Sequence, residues 1–415
     1  MRQTRLHIPA LALIATLALG GLQACGDESS GRVAASETRQ VYTAMPVGDS
    51  NDPAGRDIVS AQRMALAERD GRAGAFGVRL VVDSSADAEG MPSPGLAAQA
   101  ARDAARSDRS LAFIGGFTSG ETAAAAPILN RAGILQVTPT STATALTAVL
   151  PGTNKPLPST APSGLRTLVR IPPSDRVQAK AIVAYMEEEG VASIAIASDD
   201  GLYGAGLARD VDREASESGL KVLGRAAIEP EGSEGAARRL ARLRPGALFV
   251  AANSSPATIA FLQSFARTDP EGRIFLPDGL SEEPTLRAMG EAQSRTYVTN
   301  FVLPIGYYGP RGVRFVQRFR ARYGREPSPF ALYGYEAMAL VLDAISSLPA
   351  DSGLGIVGER RFVVRRVVTT TDRAGAIGSY SVTATGDAST DIYGAFRVED
   401  GKLTRGRAVT VRSTR

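Results

Sequence analysis

Two hydroxyl-rich turns are the residues of this 415-residue chain best equipped to hold a ligand. Phe117-Thr118-Ser119-Gly120-Glu121-Thr122 joins a strand expected over 111–117 to a helix expected over 121–131. Pro139-Thr140-Ser141-Thr142 ends a second strand, expected over 134–138. Each turn offers hydroxyls together with backbone N–H groups, and a helix N-terminus adds a dipole that favours negative charge. Thr118 and Glu121 also have the i, i+3 spacing of a capping box, a structural use of the same residues. Side by side at the carboxyl edge of a parallel sheet, the two ends would make a crevice suited to a carboxylate.

The scarcity of other reactive groups narrows the chemistry. The single His is His7 and the single Cys is Cys25, so the body of the chain has neither imidazole nor thiol. Ser-His-Asp and Cys-His nucleophilic catalysis, disulfides, and zinc sites built on His or Cys are thereby excluded. Hydrolysis by carboxylates alone stays open, although there is no Trp to form a sugar platform. Gly204-Ala205-Gly206-Leu207-Ala208-Arg209 starts like a dinucleotide fingerprint but has Arg where a third small residue is needed. Asp199-Asp200-Gly201 resembles the start of a calcium loop without its later acidic ligands. No cofactor, no metal and no enzyme activity are expected. The net charge of +4 is spread over interspersed Arg and acids, so no nucleic-acid partner is expected.

Alternating strands and helices must position the two turns. Further strands are expected over 41–45, 78–83, 193–198, 221–228, 247–252 and 273–277. Helical spacing occupies 57–69, 95–106, 177–188, 204–218, 234–243 and 256–267. This alternation argues for doubly wound parallel sheets with helices on both faces. From 313 the pattern turns mainly helical (313–323, 333–347, 358–368). It returns to strands over 378–382 and 392–398, before the hairpin-type turn Asp400-Gly401. The stretch 150–164, rich in Pro, Thr and Ser, reads as a surface loop.

The N-terminus reads as an export signal. Arg2 and Arg5 precede an apolar run over 8–19, too short to span a bilayer, and small residues follow. Leu22-Gln23-Ala24-Cys25 resembles a lipobox, which makes 1–24 a lipoprotein signal peptide and Cys25 the lipidated first mature residue. Residues 25–37 then form a flexible tether, and the body is anchored on the outer face of the cytoplasmic membrane.

The turns, with Gly133 to Pro139, Asp199 to Gly204, Pro277-Asp278-Gly279, Tyr333 to Ala337 and Tyr393 to Val398, carry a resemblance over about 39–405. The body resembles the extracellular solute-binding proteins of branched-chain amino acid ABC importers, which have the type I periplasmic binding fold. The resemblance implies two α/β lobes joined by a three-crossover hinge, within a domain spanning 38–412. One lobe would hold about 38–170 and 302–376, the other about 171–301 and 377–412. By position, Ser119 and Thr142 match residues binding a ligand α-carboxylate, and the Ser141 backbone faces the ligand. Tyr203 matches an aromatic presented on closure, and Asp278 an acid that pairs with the α-ammonium. Phe117, Thr118 and Asn253 would be secondary ligand contacts. A buried zwitterion needs both its charges compensated, which is the physical logic of that set. Asp278 is one methylene shorter than the Glu usual there, so the ammonium would be met through water or deeper in the cleft. Asn253-Ser254-Ser255 is small and polar where some members place aromatics, leaving room for a larger or more polar ligand.

The implied function is capture of an amino acid, branched-chain or otherwise apolar, by a monomeric, lipid-anchored protein that delivers it to an ABC permease. A ligand sensor of the same fold, or a binder of an amide, urea or aromatic acid, is the alternative.

Overall fold

The computed structural model describes residues 38–48, 53–350 and 353–411. The expected signal peptide, Cys25 and the tether lie outside them. The chain opens with β1 (Thr38–Met45), α1 (Ala54–Ala67), β2 (Arg72–Ala73), β3 (Phe76–Ser84) and α2 (Pro94–Arg106). It continues through β4 (Ser110–Ile114), α3 (Ser119–Arg131), β5 (Leu135–Thr138) and β6 (Leu168–Arg170). These strands form one sheet in the order β2-β3-β1-β4-β5-β6, parallel except for the short edge strand β2. Every residue of β4 and β5 is buried, as befits central strands covered on both faces.

The second half repeats the plan with α4 (Asp175–Glu188), β7 (Ser193–Ser198), α5 (Leu202–Ser218), β8 (Lys221–Ala227) and α6 (Ser233–Ala241). Then come β9 (Ala247–Ala251), α7 (Pro256–Thr268), β10 (Arg273–Leu276), α8 (Glu283–Ala288) and β11 (Thr296–Asn300). The chain next runs through α9 (Pro310–Tyr323), α10 (Ala331–Ser346) and α11 (Gly355–Val368), which pack on the first sheet and its helices. A small hairpin, β12 (Arg373–Gly375) with β13 (Gly378–Tyr380), precedes β14 (Ile392–Glu399) and β15 (Lys402–Thr410). The last two strands return to the second sheet, whose order is β15-β14-β11-β10-β9-β7-β8.

The second sheet is therefore parallel from β8 to β11 and antiparallel at β14 and β15. Asp400, at a positive φ of 52°, and Gly401, at 72°, make the turn that folds β15 back on β14. The chain passes between the lobes three times: after β6, after β11 and after β13. A partly buried ion pair and hydrogen bonds from a buried Arg fasten α11 to the first lobe. Arg39 Nε donates to Glu359 Oε2 at 2.6 Å, and Arg360 donates to the carbonyls of Ser107, Ser110 and Ala132. The 150–164 stretch lies between β5 and β6, tied by a bridge between Val149 and Pro156.

Candidate functional site

The first lobe's wall grows from two strand ends. β4 stops at Ile114 rather than running on to Phe117, because Gly115, at φ 150°, turns the chain out of the sheet. Thr118 then caps α3: its Oγ1 accepts from the Glu121 N–H at 3.3 Å, while its own N–H donates to Glu121 Oε2 at 2.6 Å. The capping box is thus formed, and burial raises the Glu121 carboxyl above its ordinary range despite these bonds. By position, the N–H groups of Ser119 and Gly120 have no carbonyl acceptor within the helix. Ser119 Oγ accepts from the Ala143 N–H at 3.2 Å, and Thr140 Oγ1 donates to the Phe117 carbonyl at 2.6 Å. These two bonds lock the turns against each other.

Beneath them lies Arg170, the last residue of β6 and fully buried. It donates to the carbonyls of Thr142 at 2.6 Å and Ala143 at 2.7 Å, and to Asp387 Oδ1 at 2.6 Å. Burial alone would raise the Asp387 carboxyl; the guanidinium beside it brings it below its usual range. One side chain therefore ties the Thr142 turn to the segment that makes the third passage between lobes.

The second lobe's wall grows from the carboxyl ends of β7, β9 and β10. Asp199 accepts from the N–H groups of Gly201 and Asn253, both at 3.0 Å, joining the first two ends. Gly204 has no side chain because a Cβ would collide with Asp199 Oδ1 and the Ala251 carbonyl; packing accounts for the first glycine of that false fingerprint, whereas a Cβ at Gly206 would meet open space. Tyr203, on the first turn of α5, donates its hydroxyl to Asp278 Oδ1 at 3.0 Å and accepts from the Gly279 N–H at 3.3 Å. Gly279 permits this approach, since a Cβ there would stand 2.7 Å from the Tyr203 ring.

These walls enclose one cavity of about 50 Å³. Phe117, Thr118, Ser119, Thr140, Thr142 and Phe330 line it from the first lobe; Tyr203, Asn253, Asp278, Gly279 and Glu282 line it from the second. Ligand pockets usually run to several hundred Å³, so in this conformation the cavity has room for no more than a few waters. The electrostatics are one-sided. Burial pushes Asp278 up to about 6, against the opposing bonds from Gln178 and Tyr203. Asp175, fully buried at the start of α4, is held well above its ordinary range by burial and by the nearby charge of Asp278. Among the described residues, no group of His, Cys, Asp and Glu could hold a metal ion.

The model of the periplasmic binding protein family matches residues 46–395. The chain belongs to that family. No curated protein matches its sequence, but solved periplasmic binding proteins share its fold. A leucine-binding protein, LivK, from Thermotoga maritima is 22% identical, with TM-score 0.75, over 90% of this chain and 99% of its own. The branched-chain amino acid binding protein LivJ from Streptococcus pneumoniae, solved with isoleucine, is 18% identical, with TM-score 0.73, over 90% and 100%. A solute-binding protein from R. palustris, solved with benzoate, is 18% identical, with TM-score 0.71, over 90% and 98%.

In this periplasmic binding protein, seven of the residues singled out from sequence meet in the cavity: Phe117, Thr118, Ser119, Thr142, Tyr203, Asn253 and Asp278. Ser141 is not in the wall. Its hydroxyl lies 2.7 Å from Thr122 Oγ1 and donates to the Gly116 carbonyl at 3.3 Å, stitching the turns together from behind. Tyr203 faces the cavity with its hydroxyl already bonded to Asp278, so it braces the acid as well as bordering the space. Sequence reading passed over Thr140, Gly279, Glu282 and Phe330. The first two belong to turns it had quoted; nothing local marks Glu282 or Phe330, which reach the cavity only through the apposition of the lobes. Arg170 and Asp175 were also missed, since a lone Arg or Asp near a helix start carries no distinctive spacing.

Proposed function

We propose that this periplasmic binding protein captures an amino acid and delivers it to an ABC permease, held at the outer face of the cytoplasmic membrane through lipidated Cys25. The observation that carries the reading is the division of labour in the cavity. Hydroxyls and the α3 N-terminus, which suit a carboxylate, stand on one lobe, and the buried carboxylate Asp278 stands on the other. An α-amino acid spans the two with both charges compensated, so it holds the lobes together. Binding would shift an open–closed equilibrium, and the permease would read the closed form. Of the solved relatives, LivJ is seen with isoleucine and another with benzoate. An aromatic acid supplies no cation for Asp278, which would leave a buried carboxylate uncompensated; the amino-acid reading is preferred on that ground.

A thermal-shift panel of amino acids, amides, urea and benzoates tests it, on protein unfolded and refolded to strip carried-over ligand. A ligand at a hundredfold excess over its Kd should stabilise the fold by about 2.7 kcal/mol. Stabilisation by one or more amino acids supports the reading; stabilisation only by an amide or aromatic acid replaces it. For the anchor, Cys25→Ala is expected to move the protein from the membrane to the soluble fraction.

A further inference from the structure

We propose that the outer face of the first lobe, made by α9 and α11, docks on the anionic phospholipid headgroups of a bilayer. The proposal builds on the lipid anchor proposed above, which brings this face to a membrane, but the two are tested separately. Charge is interspersed along the chain, yet the fold sorts it. Over 38–170 and 302–380 the described residues hold 24 Lys and Arg against 14 Asp and Glu, whereas those of the second lobe hold 18 against 23. Much of the excess stands on two helices. α9 has no acidic residue and carries Arg311, Arg314, Arg318 and Arg322 at spacings of three and four, which align them in one stripe. α11 carries Arg361, Arg365 and Arg366, all exposed. Arg311 and Arg366 border the same depression of about 400 Å³, with the hydroxyls of Thr369, Thr370 and Thr371 beside them, so the two helices present one continuous basic surface.

Few anions of the protein answer these cations. Arg318 pairs with Glu68 at 3.0 Å, and Asp343, the acid in the depression, is held by Arg69 and Arg373. Among the described residues no carboxylate forms an ion pair with the other six. Like charges at these spacings repel, and phosphates laid on them relieve the repulsion. A second observation favours a bilayer over a nucleic acid. Leu354 and Val357 continue the line of Arg361 and Arg365 at the same spacing, and they are 44% and 58% exposed. Apolar side chains among cations gain from entering the boundary between headgroups and acyl chains; a polyanion gives them nothing. The chain also enters the domain beside this face, because Arg39, in the first turn of chain after Thr38, is bonded to Glu359 of α11. Residues 26–37 reach roughly 20 Å as a flexible coil, so an acyl chain on Cys25 holds α11 close to the headgroups. β1 begins at the edge of its sheet opposite the cleft, so docking leaves the cavity uncovered.

Co-sedimentation of residues 26–415 with vesicles tests the proposal, since this chain contains the whole described fold and bears no acyl group. Vesicles of phosphatidylcholine alone are compared with vesicles in which a third of the lipid is phosphatidylglycerol. Each Arg at an anionic surface is worth about fivefold in binding, so at low salt the anionic vesicles are expected to bind the protein at least about tenfold more tightly. High salt should remove most of that preference. Replacing Arg361, Arg365 and Arg366 together by Gln should weaken binding by about tenfold or more, with the melting temperature unchanged. Arg209, Arg239 and Arg242 of the second lobe, exposed and replaced in the same way, remove equal charge and should leave binding within about twofold. Equal binding to the two kinds of vesicle overturns the proposal. Equal loss in the two triple variants also overturns it, because net charge rather than this face would then be responsible. Without an acyl chain in the experiment, either failure leaves the Cys25 anchor standing; a soluble wild type in cell fractionation would remove the anchor and leave the vesicle result intact.

Discussion

Burial sets Asp278 against its own charge. Its carboxyl titrates near 6 in the fold and near 3.8 when unfolded, so between those values the folded state binds the proton more firmly. Stability therefore falls as pH rises through that window, by roughly 3 kcal/mol for about two pKa units; Asp175 pulls in the same direction. Asp278→Asn should flatten part of this slope and melt higher than the wild type above pH 6, which denaturant melts of both proteins from pH 4 to 7 would show. The same substitution should weaken ligand binding about tenfold or more, because it removes a charged hydrogen bond. In the wild type, affinity should decline below pH 6, where Asp278 is protonated before the ligand arrives. A flat affinity profile from pH 5 to 8 would place the ammonium elsewhere. At this scale Ser119 and Thr142 were marked by their hydroxyl-rich turns and Asp278 by the family resemblance, and all three line the cavity. Glu282 was not marked, because nothing within several residues of it signals a cavity.

At the scale of elements, two local devices hold the turns in shape. The Thr118–Glu121 capping box serves α3, and Thr118→Ala should destabilise the protein by about 1 kcal/mol, read as a lower denaturant midpoint. Arg170 does more, bonding the Thr142 and Ala143 carbonyls and Asp387 together. Arg170→Met leaves the partly exposed Asp387 carboxylate and the Thr142 and Ala143 carbonyls without their donor, so a loss of about 3 kcal/mol is expected; a loss under 1 kcal/mol would show that water replaces the guanidinium. The alternation of apolar runs placed β7 to β10 and their helices to within a residue or two. It missed β6, three residues long after a Pro- and Ser-rich loop, and β11, whose Thr296-Tyr297-Val298-Thr299-Asn300 reads polar yet is buried throughout. Hydrogen bonds pay for that burial: Thr296 Oγ1 donates to the Ala292 carbonyl at 2.7 Å and Asn300 Nδ2 to Ser281 Oγ at 2.7 Å.

For the whole molecule, the three passages of the chain between lobes leave a small cavity where β4, β5, β7, β9 and β10 all end. The doubly wound parallel sheets were legible through strand–helix alternation, and the two lobes through the family resemblance. The face each lobe turns to the other was not, since it depends on packing across the cleft. A cavity of about 50 Å³ has no room for an amino acid in this conformation, so the proposed function requires the lobes to separate and reclose around it. The central claim is that both charges of an amino acid are held at once, one by each lobe. Calorimetric titration of the best amino-acid ligand beside its deaminated analogue, which keeps the carboxylate and side chain, tests it most directly. The account predicts that the deaminated acid binds at least about tenfold more weakly, and that Asp278→Asn largely removes the difference. Equal affinity for the two compounds would contradict it.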